Sequence, residues 1–201
     1  MFGVRSVRGL RIADPATTFA TLAPHLGEYD LVAAADFLLR VPRAPGGFHR
    51  PRRTTAFATR DELRAMIGAV QWRGAAKLRR AIERARTGAS SRPETWTRLT
   101  LVDAGLPEPV IDHDIRTDAG TFAACADLAY PEHRVSIDYE GDGHRERGQF
   151  VYDINRFALL QEIGWTAVRL TSAHVFARPR DGVRRVRAAL DAASRCPAAR
   201  L

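Results

Sequence analysis

Apolar positions change their spacing partway along the chain. Up to about residue 87 they recur mainly at intervals of three and four, as a buried helix face requires. Leu63, Ile67 and Val70 form one such stripe, and Leu78 and Ile82 another within a helix over about 74–86. The first stripe starts behind Thr59 and Glu62, a T-x-x-E capping box in which hydroxyl and carboxylate each satisfy a backbone N–H. Residues 1–41 read as a small strand followed by two helices. Asp14-Pro15 is an N-cap with proline at the first helical position, and Gly27 closes that segment. Asp30 opens the next helix, with Leu31, Phe37 and Leu38 among its apolar positions. The prolines, glycines and arginines between Val41 and Arg53 predict an exposed connector that packs against nothing.

Beyond residue 88 the period shortens. Ser91 caps a helix over about 92–104, and Gly105 stops it. Val110 to Arg116 predicts a strand with Ile111 and Ile115 on one face. After an Asp118-Ala119-Gly120 turn, residues 121–129 form a second strand. Arg134 to Glu140 forms a third, with Val135, Ile137 and Tyr139 alternating on one face. A helix over about 148–163 ends at Gly164, a fourth strand covers 165–171, and an amphipathic helix covers 181–193. The pattern predicts an α+β architecture: a mostly helical region over 1–87, then helix, three strands, helix, strand and helix over 88–201.

Composition narrows the classes. The chain of 201 residues has a net charge of +8, and 45% of its residues are hydrophobic, which suits a globular protein and not a disordered one. No apolar run approaches the ~20 residues that span a bilayer, and the N-terminus lacks a signal-peptide core. Cys125 and Cys196 are too few for a disulfide framework or a cysteine zinc site. The expected location is cytoplasmic. Lysine and arginine together number 31, and Lys77 is the only lysine. Such a balance suits a phosphate-rich partner, but a high-GC genome produces the same arginine bias, so charge alone leaves both readings open.

The acids are more informative. Asp138 and Glu140 lie two apart on the third strand and share a face, while a short connection brings Asp127 of the preceding strand toward their level. Neighbouring carboxylates raise one another's pKa unless a cation sits among them. Hard oxygen donors around an open position suit Mg²⁺ or Mn²⁺. For Asp138 and Glu140 alone, an exposed strand edge with ordinary surface charges explains the pattern equally well; including Asp127 favours the metal. Glu94 sits in the Ser91-Arg-Pro-Glu94 capping box, whose local role is the helix start. Its alternative role is a fourth acid near the metal. His144, after Gly141-Asp-Gly, has the chemistry to ligate or to move a proton. Asp153 and Arg156 are either a surface pair at i,i+3 or a further acid and a phosphate-binding guanidinium.

These segments carry a resemblance. Ser91-Arg-Pro-Glu-Thr-Trp-Thr-Arg-Leu, Gly105-Leu-Pro-Glu-Pro, Ala126-Asp-Leu-Ala-Tyr-Pro, Ile137-Asp-Tyr-Glu-Gly-Asp-Gly-His, Asp153-Ile-Asn-Arg and Gly164-Trp-Thr-Ala-Val-Arg follow in order. Together they resemble an actinobacterial domain family of unknown function related to very-short-patch-repair endonucleases, within the PD-(D/E)XK nuclease superfamily. The resemblance covers about 88–193. The region before it is similar to a linker domain shared with AbiEi-type antitoxin proteins. Longer relatives usually begin with a winged helix-turn-helix, and the resemblance implies that this chain starts after it.

What the resemblance implies is a restriction-endonuclease-like core and a Mg²⁺- or Mn²⁺-dependent phosphodiesterase acting on DNA, expected to be double-stranded. Asp127 falls at the family's metal-binding aspartate. Asp138 and Glu140 fall at its second acidic motif, with Asp and Glu interchanged, and Glu94 at the acid of the first helix. His144 matches a histidine beside the metal. The superfamily lysine is missing, since Glu140 occupies its place and no lysine follows Lys77. The ion is expected on Asp127 and Glu140, with Asp138 or Glu94 completing its shell, and His144 moving a proton. Arg145, Arg147 and Arg156 then hold phosphate, with Asp153 in support and Arg50, Arg52 and Arg53 extending the basic track. The missing lysine, the interchange and the AbiEi-like first half favour a different class, a non-catalytic DNA-binding protein of a toxin–antitoxin or regulatory system. A third reading is a repair accessory that wedges Trp96, Tyr139 or Trp165 into a base step, although Trp165 reads better as core.

Overall fold

The computed structural model describes residues 3–47, 51, 53–141 and 147–195, with side chains for all of these except 147–154. The chain divides into two compact units, one made of Met1–Arg43 and Pro51–Thr95, the other of Ala44–Arg50 and Trp96–Leu201. The division falls inside a helix and not at 87/88, where the apolar period changes.

The first unit begins with a hairpin. Strand β1 (Val4–Val7) pairs antiparallel with β2 (Leu10–Ala13). Arg8 and Gly9 turn the chain with φ of 51° and 80°, the left-handed pair that a two-residue hairpin turn demands. The single strand expected here is therefore two strands, too short for their alternation to register. Four helices follow: α1 (Pro15–Thr21), α2 (Glu28–Leu39), α3 (Arg60–Ala69) and α4 (Ala75–Arg84). Asp14 caps α1 by accepting the Thr17 N–H at 2.7 Å. Both halves of the Thr59/Glu62 box form at α3.

Helix α2 packs on α4, and α3 on α1 and α4. They bury Phe19, Leu31, Val32, Leu63, Ile67, Leu78 and Ile82. Polar groups lock this core at its ends. Asp36 on α2 is 1% exposed and accepts from the Arg86 N–H at 2.6 Å and the Thr95 hydroxyl at 2.8 Å. Arg60 donates to the carbonyls of Ile82 and Ala85 at the end of α4. Lys77 Nζ donates to the Leu26 carbonyl at 2.6 Å.

The second unit takes up helix α5 (Arg92–Asp103) from Trp96 onward. Strands β3 (Val110–Arg116), β4 (Phe122–Tyr130) and β5 (Val135–Glu140) follow, then α6 (Arg147–Glu162), β6 (Thr166–Thr171) and α7 (Pro179–Arg195). The sheet order is β3-β4-β5-β6. The first three strands are antiparallel, and β6 runs parallel to β5, because α6 carries the chain back across the sheet. The unit is mixed α/β. Glycine ends both helices that precede strands. Gly105 and Gly164 take φ of 80° and 77°, so the next residue's N–H reaches back to the last turn, Leu106 to the Leu101 carbonyl and Trp165 to that of Leu160.

Each sheet face has its own core. On one face Leu128, Tyr130, Val135, Ile137, Val168 and Leu170 pack with Leu101 of α5 and Val186 and Leu190 of α7. On the other, Ile115, Ala124, Ala126 and Ala129 pack with Leu160 of α6, and Phe157 and Trp165 border them. Trp165 is thus partly buried and packs against this core, the side its sequence context suggested. Buried Arg98 of α5 pairs with Glu108 at 2.7 Å. The proline-rich connector is not wholly free. Pro45–Gly47 forms a tight turn that packs on β3 and β4, and the Gly46 N–H donates to the Asp114 carboxylate at 3.2 Å. No helix among the described residues is long and apolar enough to cross a membrane.

Two predictions follow from these buried polar groups. Asp36→Ala strands the Arg86 N–H and the Thr95 hydroxyl, which is expected to destabilise the first unit by about 1–3 kcal/mol per orphaned group, read by urea unfolding. In the second unit Tyr130 donates its hydroxyl to the Pro107 carbonyl at 2.8 Å, and burial pushes the phenol up to about 12. The unfolded phenol titrates near 10. This contribution is therefore complete below pH ~10 and lost as pH rises toward 12, about 2–3 kcal/mol in all. Alkaline denaturation should lose that phase in Tyr130→Phe.

Candidate functional site

The acidic site forms where β4 and β5 part. Their pairing runs Tyr130↔Val135, Ala129↔Ser136, Leu128↔Ile137 and then stops. At the next level the Asp127 carboxylate accepts the Tyr139 N–H at 2.8 Å, so a side chain takes over from the backbone ladder. An irregularity in both strands creates this opening. Asp112 of β3 has φ of 53°, a left-handed conformation that Asp tolerates better than most residues. The β3–β4 register pairs Ile111 with Leu128 and His113 with Ala126, leaving out the Asp112/Asp127 level between them.

Across that level both strands exchange faces. Ile111 and Leu128 pack in the α5/α7 core, whereas Ile115, Ala124 and Ala126 pack in the α6 core. Ile111 and Ile115 thus do not share a face as strict alternation predicts. The left-handed Asp112 breaks the alternation. The Cys125 thiol donates to the Asp112 carboxylate at 3.2 Å, bracing the break.

On β5 the expected alternation holds. Val135, Ile137 and Tyr139 face the α5/α7 core, which places Asp138 and Glu140 together on the α6 side. Asp138 is buried, its side chain 9% exposed, and it accepts from Arg156 Nη2 at 2.5 Å. The same Nη2 donates to the Cys125 carbonyl at 2.8 Å, so one α6 guanidinium spans β4 and β5. Glu140 pairs with Arg169. In the parallel register Arg169 stands opposite Asp138, and its guanidinium lies over the Phe157 ring at 4.7 Å. Arg156 caps the same ring from 5.5 Å.

The donors are right in chemistry for a hard divalent ion: carboxylate oxygens from Asp127, Asp138 and Glu140. Their present bonding is to protein, with a backbone N–H on Asp127 and a guanidinium on each of the others. Among the described residues no group of three or more His, Cys, Asp and Glu side chains is placed to hold a metal ion. Arg156 and Arg169 are each placed on one oxygen of their carboxylate, Asp138 Oδ1 and Glu140 Oε1.

The other described candidates make local contacts. Glu94 is buried in the first unit. One carboxylate oxygen accepts the Ser90 N–H at 2.7 Å, and the other accepts the Ser91 hydroxyl at 2.8 Å. These are the contacts of a helix start. Arg53 donates to the carbonyls of Thr55 and Arg40 and stacks on Phe57 at 3.7 Å, so its guanidinium organises its own loop. His144, Arg145, Arg50 and Arg52 lie outside the described residues, as do the side chains of Arg147 and Asp153. Of the aromatic wedge candidates, Trp96 packs edge-on against Phe176 at 5.2 Å, and Tyr139 borders the α5/α7 core.

Arg169 is the residue that sequence reading passed over. Its signal was the Val168-Arg169-Leu170 alternation, which turns the arginine away from the α5/α7 core, but only a parallel register places it beside the acids.

Arg156→Ala leaves a buried carboxylate without its guanidinium, and is expected to destabilise the second unit by about 3–5 kcal/mol. Replacing both partners, Asp138→Leu with Arg156→Met, should recover most of the loss in urea melts, because an apolar pair leaves no charge to solvate.

No family model matches the chain, and no solved structure matches it. It is similar to two proteins of Mycobacterium tuberculosis, uncharacterized protein MT2308 of strain CDC 1551 / Oshkosh and uncharacterized protein Rv2248 of strain ATCC 25618 / H37Rv. Each is 30% identical over 142 residues, which cover 70% of this chain and 52% of the relative. The chain spans about half the length of these curated relatives.

Proposed function

We propose that the second unit is a restriction-endonuclease-like core of the very-short-patch-repair type, and that the protein is a metal-dependent endonuclease acting on double-stranded DNA in the cytoplasm. The observation that supports this reading is the register where the β4–β5 ladder ends: one level past the last pair, the Asp127 carboxylate accepts the N–H of Tyr139, the residue between Asp138 and Glu140 on β5. The element order supports it: three antiparallel strands, a crossover helix and a parallel fourth strand. The first unit is then the AbiEi-like linker region.

In this reading Asp127 and Glu140 hold Mg²⁺ or Mn²⁺, with Asp138 beside them. Such an ion supplies a lowered pKa for a nearby water and charge stabilisation for the phosphate. The chain's own residues do the rest. Asp127 keeps β4 and β5 apart by holding the Tyr139 N–H. Arg156 and Arg169, on the rim of the acids, are the guanidinium groups that exchange carboxylate for phosphate oxygens as DNA arrives. His144 is assigned the proton transfer.

A second reading is favoured by a specific observation. Both acids of β5 are closed by arginine, and Glu140 stands where the superfamily lysine is expected. A protein that keeps the fold and binds DNA without cutting it, as an antitoxin or regulator does, needs nothing more. One experiment separates the two: incubation with supercoiled, nicked, mismatched and single-stranded DNA, with Mg²⁺, Mn²⁺ or EDTA. The endonuclease reading expects metal-dependent cleavage that Asp127→Asn reduces by at least about 100-fold. Cleavage that survives Asp127→Asn unchanged removes the assignment, and retention of DNA without cleavage in either metal selects the second reading.

A further inference from the structure

Outside the acidic site, the least covered part of the described chain is its N-terminal hairpin. All eight residues of β1 and β2 are exposed. Residues 3–13 contain three arginines, Arg5, Arg8 and Arg11, and no acid. Among the described residues the guanidinium groups of Arg8 and Arg11 make no hydrogen bond or ion pair. Arg5, nearer the base, lies close to Glu62. The Thr59 N–H is the main cause holding that carboxyl below its usual range, and Arg5 adds to it.

The pairing distributes the charges. Arg5 lies opposite Ile12 and Val7 opposite Leu10, while Ser6 lies opposite Arg11. One face thus carries Arg5, Val7, Leu10 and Ile12, the other carries Ser6 and Arg11, and Arg8 sits in the turn. The apolar residues are open to solvent, Leu10 at 69% and Val7 and Ile12 at 46% each. Each face bears one guanidinium and the tip bears a third. The base is fixed, since the Gly3 N–H donates to the Thr17 hydroxyl at 3.0 Å and the Asp14 N–H to the Gly3 carbonyl at 2.9 Å.

We propose that this hairpin is a DNA-binding ribbon that lies in the major groove of a B-form duplex, with the face of Val7 and Leu10 toward base edges, and with Arg8 at the tip and Arg11 on the outward face reaching the backbone phosphates that flank the groove. A two-stranded ribbon fits a groove about 12 Å wide, and a ribbon lying in it is flanked by phosphates on either side, within reach of cations at its tip and on its outward face. Apolar side chains on the inserted face meet thymine methyl groups. The A-form major groove of duplex RNA is too deep and narrow for the same entry. The hairpin belongs to the first unit, and its binding does not depend on the chemistry of the acids in the second.

The test is equilibrium binding of the whole protein to a fluorescent DNA duplex in EDTA, across a salt series. Arg8→Asn with Arg11→Gln removes both charges, Asn being chosen because it tolerates the left-handed turn. The slope of log affinity against log salt is expected to fall by about 1 for each arginine removed, with the circular dichroism spectrum unchanged. Arg8→Lys with Arg11→Lys keeps the charges and should keep the slope. An unchanged slope in the neutral variant, or no duplex binding by the wild type, overturns the proposal. Equal weakening toward duplex RNA and polyglutamate also overturns it, since that is ion exchange and not groove entry. Because binding is read without metal, a protein that never cleaves DNA still gives a clear answer, and a hairpin that fails leaves the acidic site to its own assay.

Discussion

A strand covered on both faces must find a partner for every charge it carries. β5 is such a strand, buried from Val135 to Asp138, with α5 and α7 against one face and Arg156 of α6 reaching it from the other. Its inward Val135 and Ile137 need nothing but contact, but Asp138 on the opposite side is buried as a carboxylate. Arg156 answers that charge from α6 and holds the Cys125 carbonyl with the same nitrogen. This one guanidinium thus joins the crossover helix to two strands. The crossover in turn is what makes β6 parallel and brings Arg169 alongside Glu140. Remove the pairing and neither the helix nor the fourth strand has the same reason to sit where it does.

Much of the fold was legible because its signals are local. Thr59/Glu62 and Asp14-Pro15 mark helix starts through contacts within four residues, and Gly105 and Gly164 mark stops through a single dihedral angle. The period-2 pattern from Val135 to Glu140 correctly set Asp138 and Glu140 on one side. Three features were not legible, each for a physical reason. The two strands of the N-terminal hairpin are four residues each, too short for the alternation of Leu10 and Ile12 to register as a separate strand. The left-handed Asp112 reverses the faces of β3 and β4 without altering residue order, and Asp is common enough outside that conformation to give no warning. The turn at Pro45–Gly47 packs through a distant partner, Asp114, although its composition is that of an open loop.

The acidic site divides in the same way. Sequence spacing brought Asp127 to the level of Asp138 and Glu140 because a hairpin joins their strands. What spacing does not encode is counter-charge. Arg156 is 18 positions from Asp138, and Arg169 is 29 from Glu140, so both pairs exist only once the crossover is made. Glu94 is the opposite case. Its contacts with Ser90 and Ser91 are close neighbours in the chain, and its local role could be read directly.

Lys77 has a consequence of a different kind. In a chain where arginine supplies every other member of the lysine-plus-arginine total, it is the only side-chain amine, and it is engaged with the Leu26 carbonyl at 2.6 Å. Reagents that acylate amines therefore find one internal target, and that target is a contact holding α4 to the end of the α1 segment. Labelling chemistry that in most proteins reports on surface coverage here becomes a reporter of one tertiary hydrogen bond, and lysine-directed attachment to a support or dye acts on the packing of the helical unit and not on the sheet that carries the acids.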